Sequence, residues 1–370
     1  MKTYIPKNDV AFHRNYQIRI VAWELTRSCN LNCVHCRASS NFGPNPQELD
    51  TLQAMDILDQ IREVGKPIII LTGGEPLLRK DIFELADYGT KKGLRMVLAT
   101  NGTLITPDIT KRIKESGIKR VSISLDGATR ESHDAFRQVN GAFDRAMKGI
   151  SYLKEQGIEF QINTTITRYN LSELEGVFDL ATRLEATAHH IFLLVPTGRA
   201  KEMVNQQLNA QEYEDSLHWF CQQQDNVSLQ LKATCAPQYY RIIRQEAHSK
   251  GQKMNSKTHS LDAVTRGCLA GISYCFISNE GIVQPCGYLE LNSGDLREST
   301  FSDIWRKSSI FADLRNFSKY KGKCGRCEYI NVCGGCRARA YAATGDYLSE
   351  EPLCAYNPAS SKHFVLDVIR

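Results

Sequence analysis

The 370-residue chain is 42% hydrophobic and 24% charged, with a formal net charge of +5. It has no low-complexity tract, collagen period or heptad run, which excludes fibrous and disordered classes, and so small a basic excess gives no reason to expect nucleic acid. The longest purely apolar run, residues 191–195, is far below the roughly 20 residues that cross a bilayer. The opening stretch, MKTYIPKNDVAFHR, lacks the apolar core of a secretory signal. A cytoplasmic protein with no membrane contact is the expectation. Thiols stay reduced there, so the 13 cysteines read as metal ligands before disulfides.

From residue 18 to about 195, short β-branched runs alternate with amphipathic stretches. Strands are predicted at 18–25, 67–71, 94–100, 119–125, 160–166 and 190–195, and helices at 49–64, 82–92, 106–116, 142–156 and 171–184. Helix signals agree: Asp50, Thr106-Pro107 and Ser172 at starts, and Gly65, Gly93, Gly117 and Gly157 at stops. Strand–helix alternation implies a parallel sheet with right-handed crossovers. The expected architecture is α/β: an N-terminal segment (1–17), then a partial (β/α)6 TIM-like barrel over 18–230. Chemistry belongs at the C-terminal strand ends, where Cys29, Gly73, Thr100, Ser124 and Arg199 fall. After about Asp225 the periodicity fades, and residues 268–354 hold eight cysteines. Residues 231–370 are therefore expected to form a second domain organised by metal.

The 13 cysteines divide into three (Cys29, Cys33, Cys36), eight between 268 and 354, and two others, Cys221 and Cys235. A four-iron cubane takes four thiolates. Eight suit two complete clusters, and three suit one cluster with an open iron, as a reactive metal site requires. Zinc is the alternative for the first group, but zinc sites pair C-x2-C with a distant second pair, and none lies nearby. Cys221 and Cys235 read as buried small apolar residues.

The C-x3-C-x2-C loop after strand one, followed by Gly73-Gly74-Glu75-Pro76 after strand two, resembles the radical S-adenosylmethionine (radical SAM) enzymes. The resemblance implies that Cys29, Cys33 and Cys36 hold a [4Fe–4S] cluster whose open iron chelates S-adenosylmethionine. It implies that Gly73, Gly74, Glu75 and Pro76 receive the methionine ammonium, with Glu75 adding negative charge. It places Thr100, Asn101, Ser124, Asp126, Arg137, Asn163 and Val195 around the same cofactor. Asn163 and Thr165 alternate along strand five, pointing one face inward.

The later cysteines resemble the SPASM extension of that family. The resemblance assigns Cys268, Cys275, Cys286 and Cys336 to one auxiliary cluster and Cys324, Cys327, Cys333 and Cys354 to another. The spacing before Cys336 is x2 where SPASM chains usually have x3, so a single auxiliary cluster on the second set is the alternative. Longer stretches, such as CFISNEGIVQPCGYLELN and CGRCEYINVCGGCRARAYAATGDYLSEEPLC, resemble the iron-coproporphyrin III decarboxylases of the siroheme-dependent heme pathway. Arg37 after Cys36 favours that group over the siroheme-derivative deacetylases and heme d1 enzymes. The implied reaction turns the propionates of rings A and B into vinyl groups, giving heme b, with an auxiliary cluster accepting an electron. An external donor such as ferredoxin or flavodoxin and a monomeric state are implied too. Four substrate carboxylates call for cations, and Arg19, Arg37, Arg199, Arg266, Arg337 and Arg339 are the candidates. His189 or His190 is a candidate iron ligand. Two alternatives are a SPASM peptide-modifying maturase, for which the 15 or so residues before strand one look too few, and an electron carrier, which has no use for an open iron.

Overall fold

The computed structural model describes residues 16–43, 45–251 and 266–358. Most of the expected 1–17 segment lies outside these. All six predicted strands are present as β1 (Ile20–Glu24), β2 (Ile68–Thr72), β3 (Arg95–Thr100), β4 (Val121–Ser124), β5 (Phe160–Ile166) and β6 (Ala188–Leu193). Four more follow: β7 (Gln230–Thr234), β8 (Tyr274–Ile277), β9 (Ile282–Gln284) and β10 (Gly294–Asp295). They form one sheet in the order β10-β9-β8-β1-β2-β3-β4-β5-β6-β7. Every pairing from β8 through β1 to β7 is parallel, while β9 and β10 close the other edge antiparallel. The sheet thus crosses the expected division at 230/231. β8, from the cysteine-rich half, pairs directly with β1, setting Cys275 opposite Val21.

The period of two decides what each strand residue does. Val21, Trp23, Ile69, Leu71, Met96 and Leu98 belong to the buried core under the helices. Their neighbours Ile20, Ala22, Ile68, Ile70, Val97 and Ala99 line a cavity on the opposite face. Residues from all eight parallel strands share that cavity, so the sheet curls into a partial barrel around it.

The outer helices follow the 3.6-residue period. Helix Thr51–Val64 buries Ala54, Ile57, Leu58 and Ile61, and Asp50 and Gln53 close a capping box at its start. Burying each such Ile or Leu contributes about 1.5–3 kcal/mol. One functionally important helix, Arg130–Arg137, was not predicted. It has eight residues, and its periodicity is carried by His133, Asp134, Phe136 and Arg137, a largely polar buried face. Among the described residues, no helix is long and apolar enough to cross a membrane.

Candidate active site

β1 ends in Glu24, which is wholly buried and neutralised by Arg27 at 3.0 Å and by Arg37. The loop beyond it carries Cys29, Cys33 and Cys36, packed with Leu31 and Ala142. Donors converge on all three sulfurs: the Leu31 N–H on Cys29 (3.4 Å), the Ser40 N–H on Cys36 (3.3 Å) and the Arg137 guanidinium on Cys33 (3.5 Å). Arg199 clamps the loop, donating to the carbonyls of Cys33 (2.8 Å) and Ser40 (2.7 Å). Burial pushes the Cys29 thiol up to about 12 and raises Cys33 too, against the pull of Arg137. Such thiols ionise only beside added positive charge, which iron supplies. Among the described residues, no three His, Cys, Asp or Glu side chains converge on a point that could hold a single ion. A cubane does not ask for that, because each thiolate binds its own iron. The residues fit a cluster.

The Gly73–Pro76 turn is stitched to the approach to this loop. The Gly74 N–H donates to the Thr26 carbonyl and the Glu75 N–H to the Ser28 carbonyl, both at 2.7 Å. A Cβ on Gly74 would collide with the Ser28 carbonyl oxygen, so this glycine is required by close approach of two backbones. Gly73 and Gly74 line the cavity; Glu75 and Pro76 do not. Glu75 is fully buried, and its carboxylate accepts from Thr100 Oγ1 (2.7 Å), the Asn101 N–H (2.8 Å) and the Leu77 N–H (3.1 Å). The expectation that Glu75 faces the cavity is corrected: its charge fastens the end of β2 to the end of β3. Pro76 opens the short 3₁₀ turn Pro76–Leu78. Thr100 and Asn101 do reach the cavity wall.

At the end of β4, Asp126 forms the electrostatic centre. Arg137 pairs with it, His35 stands at 3.6 Å, and the Thr165 N–H donates to it at 2.7 Å. Burial works to raise this carboxyl, but the Arg137 guanidinium and the Thr165 N–H outweigh it and hold it below the usual range. Burial also drives His35 and His133 down to about 4, so both rings are neutral. Arg137 therefore ties the β4 end to the Cys33 sulfur, and its Nε, buried, has no hydrogen-bond partner. His35 was missed in the sequence, although its place between Cys33 and Cys36 was a signal. Ser124, Asp126, Arg137 and Asn163 all line the cavity. Val195 does not: it packs in a separate apolar cluster with Leu289, Cys336 and Ala338.

The cavity occupies about 1700 Å³ and runs from the three-cysteine loop to Cys268, Cys286 and Cys336. Cys324, Cys327, Cys333 and Cys354 instead surround a second, small cavity beside Arg241 and Tyr356. Backbone N–H groups of Gly335 and Glu351 donate to Cys333 and Cys324, each at 3.4 Å. Arg337 joins the two sets, its guanidinium donating to the Cys324 sulfur (3.5 Å) and its backbone N–H to Cys268. One expected ligand is corrected. Cys275 is completely buried in the main core, because Tyr274 and Phe276 take the cavity-facing positions of β8. Cys235, read from the sequence as a buried small apolar residue, lines the cavity instead, and its thiol hydrogen-bonds Cys336.

The expected substrate residues separate in the same way. Arg37, Arg199, Arg337 and His190 stand on the cavity wall. Arg37 is held by Glu24 and lies over the Phe276 ring at 4.5 Å. Arg19 is exposed and off the wall. Arg266 stacks on Phe317 at 4.0 Å and donates to the Ile330 carbonyl. Arg339 is spent on Glu351 and on the carbonyls of Leu193, Leu194 and Cys235. His189 is a core residue against Phe178 and Phe220, bonded to Thr164 Oγ1 at 2.9 Å and pushed down to about 3 by burial. His190, its neighbour on β6, faces the cavity and contacts Gln161 at 3.1 Å. Arg95 and Arg120 also reach the wall and were not anticipated.

The Radical SAM superfamily matches residues 23–181, and the iron-sulfur cluster-binding domain called SPASM matches residues 268–337. The chain belongs to the radical SAM superfamily and is an enzyme that uses S-adenosylmethionine and iron–sulfur clusters. Within that superfamily it is 54% identical to the AdoMet-dependent heme synthase of Nitratidesulfovibrio vulgaris (strain Hildenborough) over 340 residues, 92% of this chain and 93% of that protein. It is 33% identical to the Fe-coproporphyrin III synthase of Methanosarcina barkeri (strain Fusaro), across 90% of this chain and 87% of the other. Streptococcus suis SuiB bound to S-adenosylmethionine shares the fold, with a TM-score of 0.71 over 92% of this chain and 78% of that one, at 17% identity.

Proposed function

We propose that the enzyme oxidatively decarboxylates the propionates on rings A and B of iron-coproporphyrin III to vinyl groups, forming heme b. The observation that carries this is the cavity. Ordinary small-molecule pockets occupy roughly 300–1,000 Å³, whereas this one has room, at about 1700 Å³, for a tetrapyrrole beside S-adenosylmethionine. The 54% identity to an AdoMet-dependent heme synthase supports the same substrate class.

When bound, the reduced cluster and S-adenosylmethionine supply a carbon radical that takes hydrogen from a propionate side chain. The chain's own residues do the positioning. Cys29, Cys33 and Cys36 would hold the cluster, and Arg199 and Arg137 fix their loop from two sides. Gly73, Gly74, Thr100, Asn101, Ser124 and Asn163 line the wall that S-adenosylmethionine would occupy. Burial keeps the His190 ring neutral, which is the form that binds iron; it is the candidate axial ligand to the substrate. Arg120, bonded at the cavity edge to Glu159 (3.0 Å), is available to a propionate by exchanging that exposed partner. Electrons for cofactor cleavage would come from a small carrier such as ferredoxin or flavodoxin, and the one electron left on the substrate at each loss of CO2 would pass to an auxiliary cluster held by the C-terminal cysteines.

Anaerobic incubation of the reconstituted enzyme with iron-coproporphyrin III, S-adenosylmethionine and a reductant tests this. Mass spectrometry should show a tetrapyrrole lighter by two CO2 and four hydrogens. Sustained 5′-deoxyadenosine formation with an unchanged porphyrin would refute it.

A further inference from the structure

We propose that Cys235 is the fourth thiolate of the cluster site formed with Cys268, Cys286 and Cys336, and that Cys275 is not a ligand. The proposal deepens the reading of the SPASM region as holding two auxiliary clusters, and rests on it. Three observations point the same way. The first is position: Cys235, Cys268, Cys286 and Cys336 all line the main cavity and neighbour one another there, and Cys235 and Cys286 pack against the apolar cluster that contains Cys336. A cubane asks for four thiolates, and four are there.

The second observation is backbone conformation. Cys235 has a φ of 56°, in the left-handed region, where a residue other than glycine persists only if its surroundings impose it. They do. Its carbonyl accepts from the Tyr213 hydroxyl and from Arg339 Nη2, each at 3.0 Å, and both donors are buried to within 1% exposure. An inert packing residue after β7 has no need of that turn. A ligand does, because the turn aims the thiol across the cavity end at Cys336. The third observation removes the competitor. Cys275 sits mid-strand on β8, between Tyr274 and Phe276, which face the cavity, so the strand period directs its sulfur into the core with Ile277. Bringing it round would require a one-residue slip of β8 against β1, exposing every core residue of that strand.

The test uses the full chain with Cys29, Cys33 and Cys36 replaced by Ala, so that only C-terminal clusters assemble. Into it go Cys235→Ala, Cys235→Ser and Cys275→Ala, each reconstituted anaerobically and analysed for iron, sulfide and EPR spectrum. The parent should hold about eight irons by the four-thiolate rule. Cys235→Ala should lose roughly one to four of them, with a three-iron signal or one cluster signal missing. Cys235→Ser, which offers oxygen in the same place, should keep its iron but show a shifted spectrum. Cys275→Ala should match the parent. A retained signal from the Cys324, Cys327, Cys333 and Cys354 cluster reports that each variant is folded. Full iron with an unaltered spectrum in Cys235→Ala overturns the proposal, and so does a parent that holds only about four irons. None of these readouts depends on tetrapyrrole turnover, so a wrong substrate and a wrong ligand give different results.

Discussion

The two cysteine-bearing regions of the molecule are built on opposite plans. In the first, Cys29, Cys33 and Cys36 fall within eight consecutive residues, and one loop delivers all three sulfurs to one place. In the second, the sulfurs at the far end of the cavity come from four separated places in the chain: the turn after β7, the stretch before β8, the turn after β9 and the start of helix Arg337–Thr344. A contiguous loop needs outside support to be held still, and receives it from Arg137, Arg199 and the glycine turn. A dispersed site is held by the fold itself, because each contributor is already anchored by sheet or helix.

If that contrast is right, the largest effects come from the loop. Cys33→Ala should abolish 5′-deoxyadenosine formation and remove about four irons while the C-terminal EPR signals persist. Normal cofactor cleavage would break the contrast at once. Next comes the support from Arg137. Arg137→Ala leaves Asp126 buried beside neutral histidines, and removing one member of a buried pair costs about 3–5 kcal/mol. Denaturant unfolding should show that loss, and adding Asp126→Ala should restore part of it; equal stability of the single and double variants would mean that the pair does not hold the loop.

A smaller effect is expected at the glycine turn. Gly74→Ala forces the turn away from Ser28, and overpacking of this kind costs about 1–3 kcal/mol. Affinity for S-adenosylmethionine should fall with it, read by isothermal titration, while iron content holds; unchanged affinity would detach the turn from the cofactor. The effect that is smallest at neutral pH concerns His189, the core residue packed against Phe178 and Phe220. Burial lowers it from 6.5 to about 3, so between those values the unfolded chain binds a proton that the folded one refuses. Stability therefore falls as pH drops from about 6.5 towards 3, by up to about 1.4 kcal/mol per pH unit from this ring. His189→Gln should flatten the stability–pH curve by that slope, and an unchanged curve would show that the ring titrates freely.

The same contrast explains what could be read from the sequence. Six strands were legible because β-branched runs and helical periods alternate cleanly up to residue 195. β7 (QLKAT) and β8 (YCFI) were not, since one is mixed in polarity and the other is four residues long. The loop cysteines were legible because spacing alone specifies them. The Cys324, Cys327, Cys333 and Cys354 set was largely legible too, since three of its members lie within ten residues. Cys275 was misread because spacing carries no record of which face of a strand a residue takes, and Cys235 was passed over because a left-handed φ leaves no mark on a cysteine. Arg339 and Glu75 were misjudged for a related reason. A charged residue near a site looks available until its partners are seen, and both are occupied by main-chain groups of the protein itself.

The most direct measurement follows the hydrogen. Iron-coproporphyrin III deuterated at the propionate β-carbons, supplied with S-adenosylmethionine and a reductant, should yield 5′-deoxyadenosine carrying deuterium in step with heme b formation. Unlabelled 5′-deoxyadenosine accompanying full conversion to heme b would contradict the account, because hydrogen would then be leaving the propionate by a route that does not pass through the site at Cys29, Cys33 and Cys36.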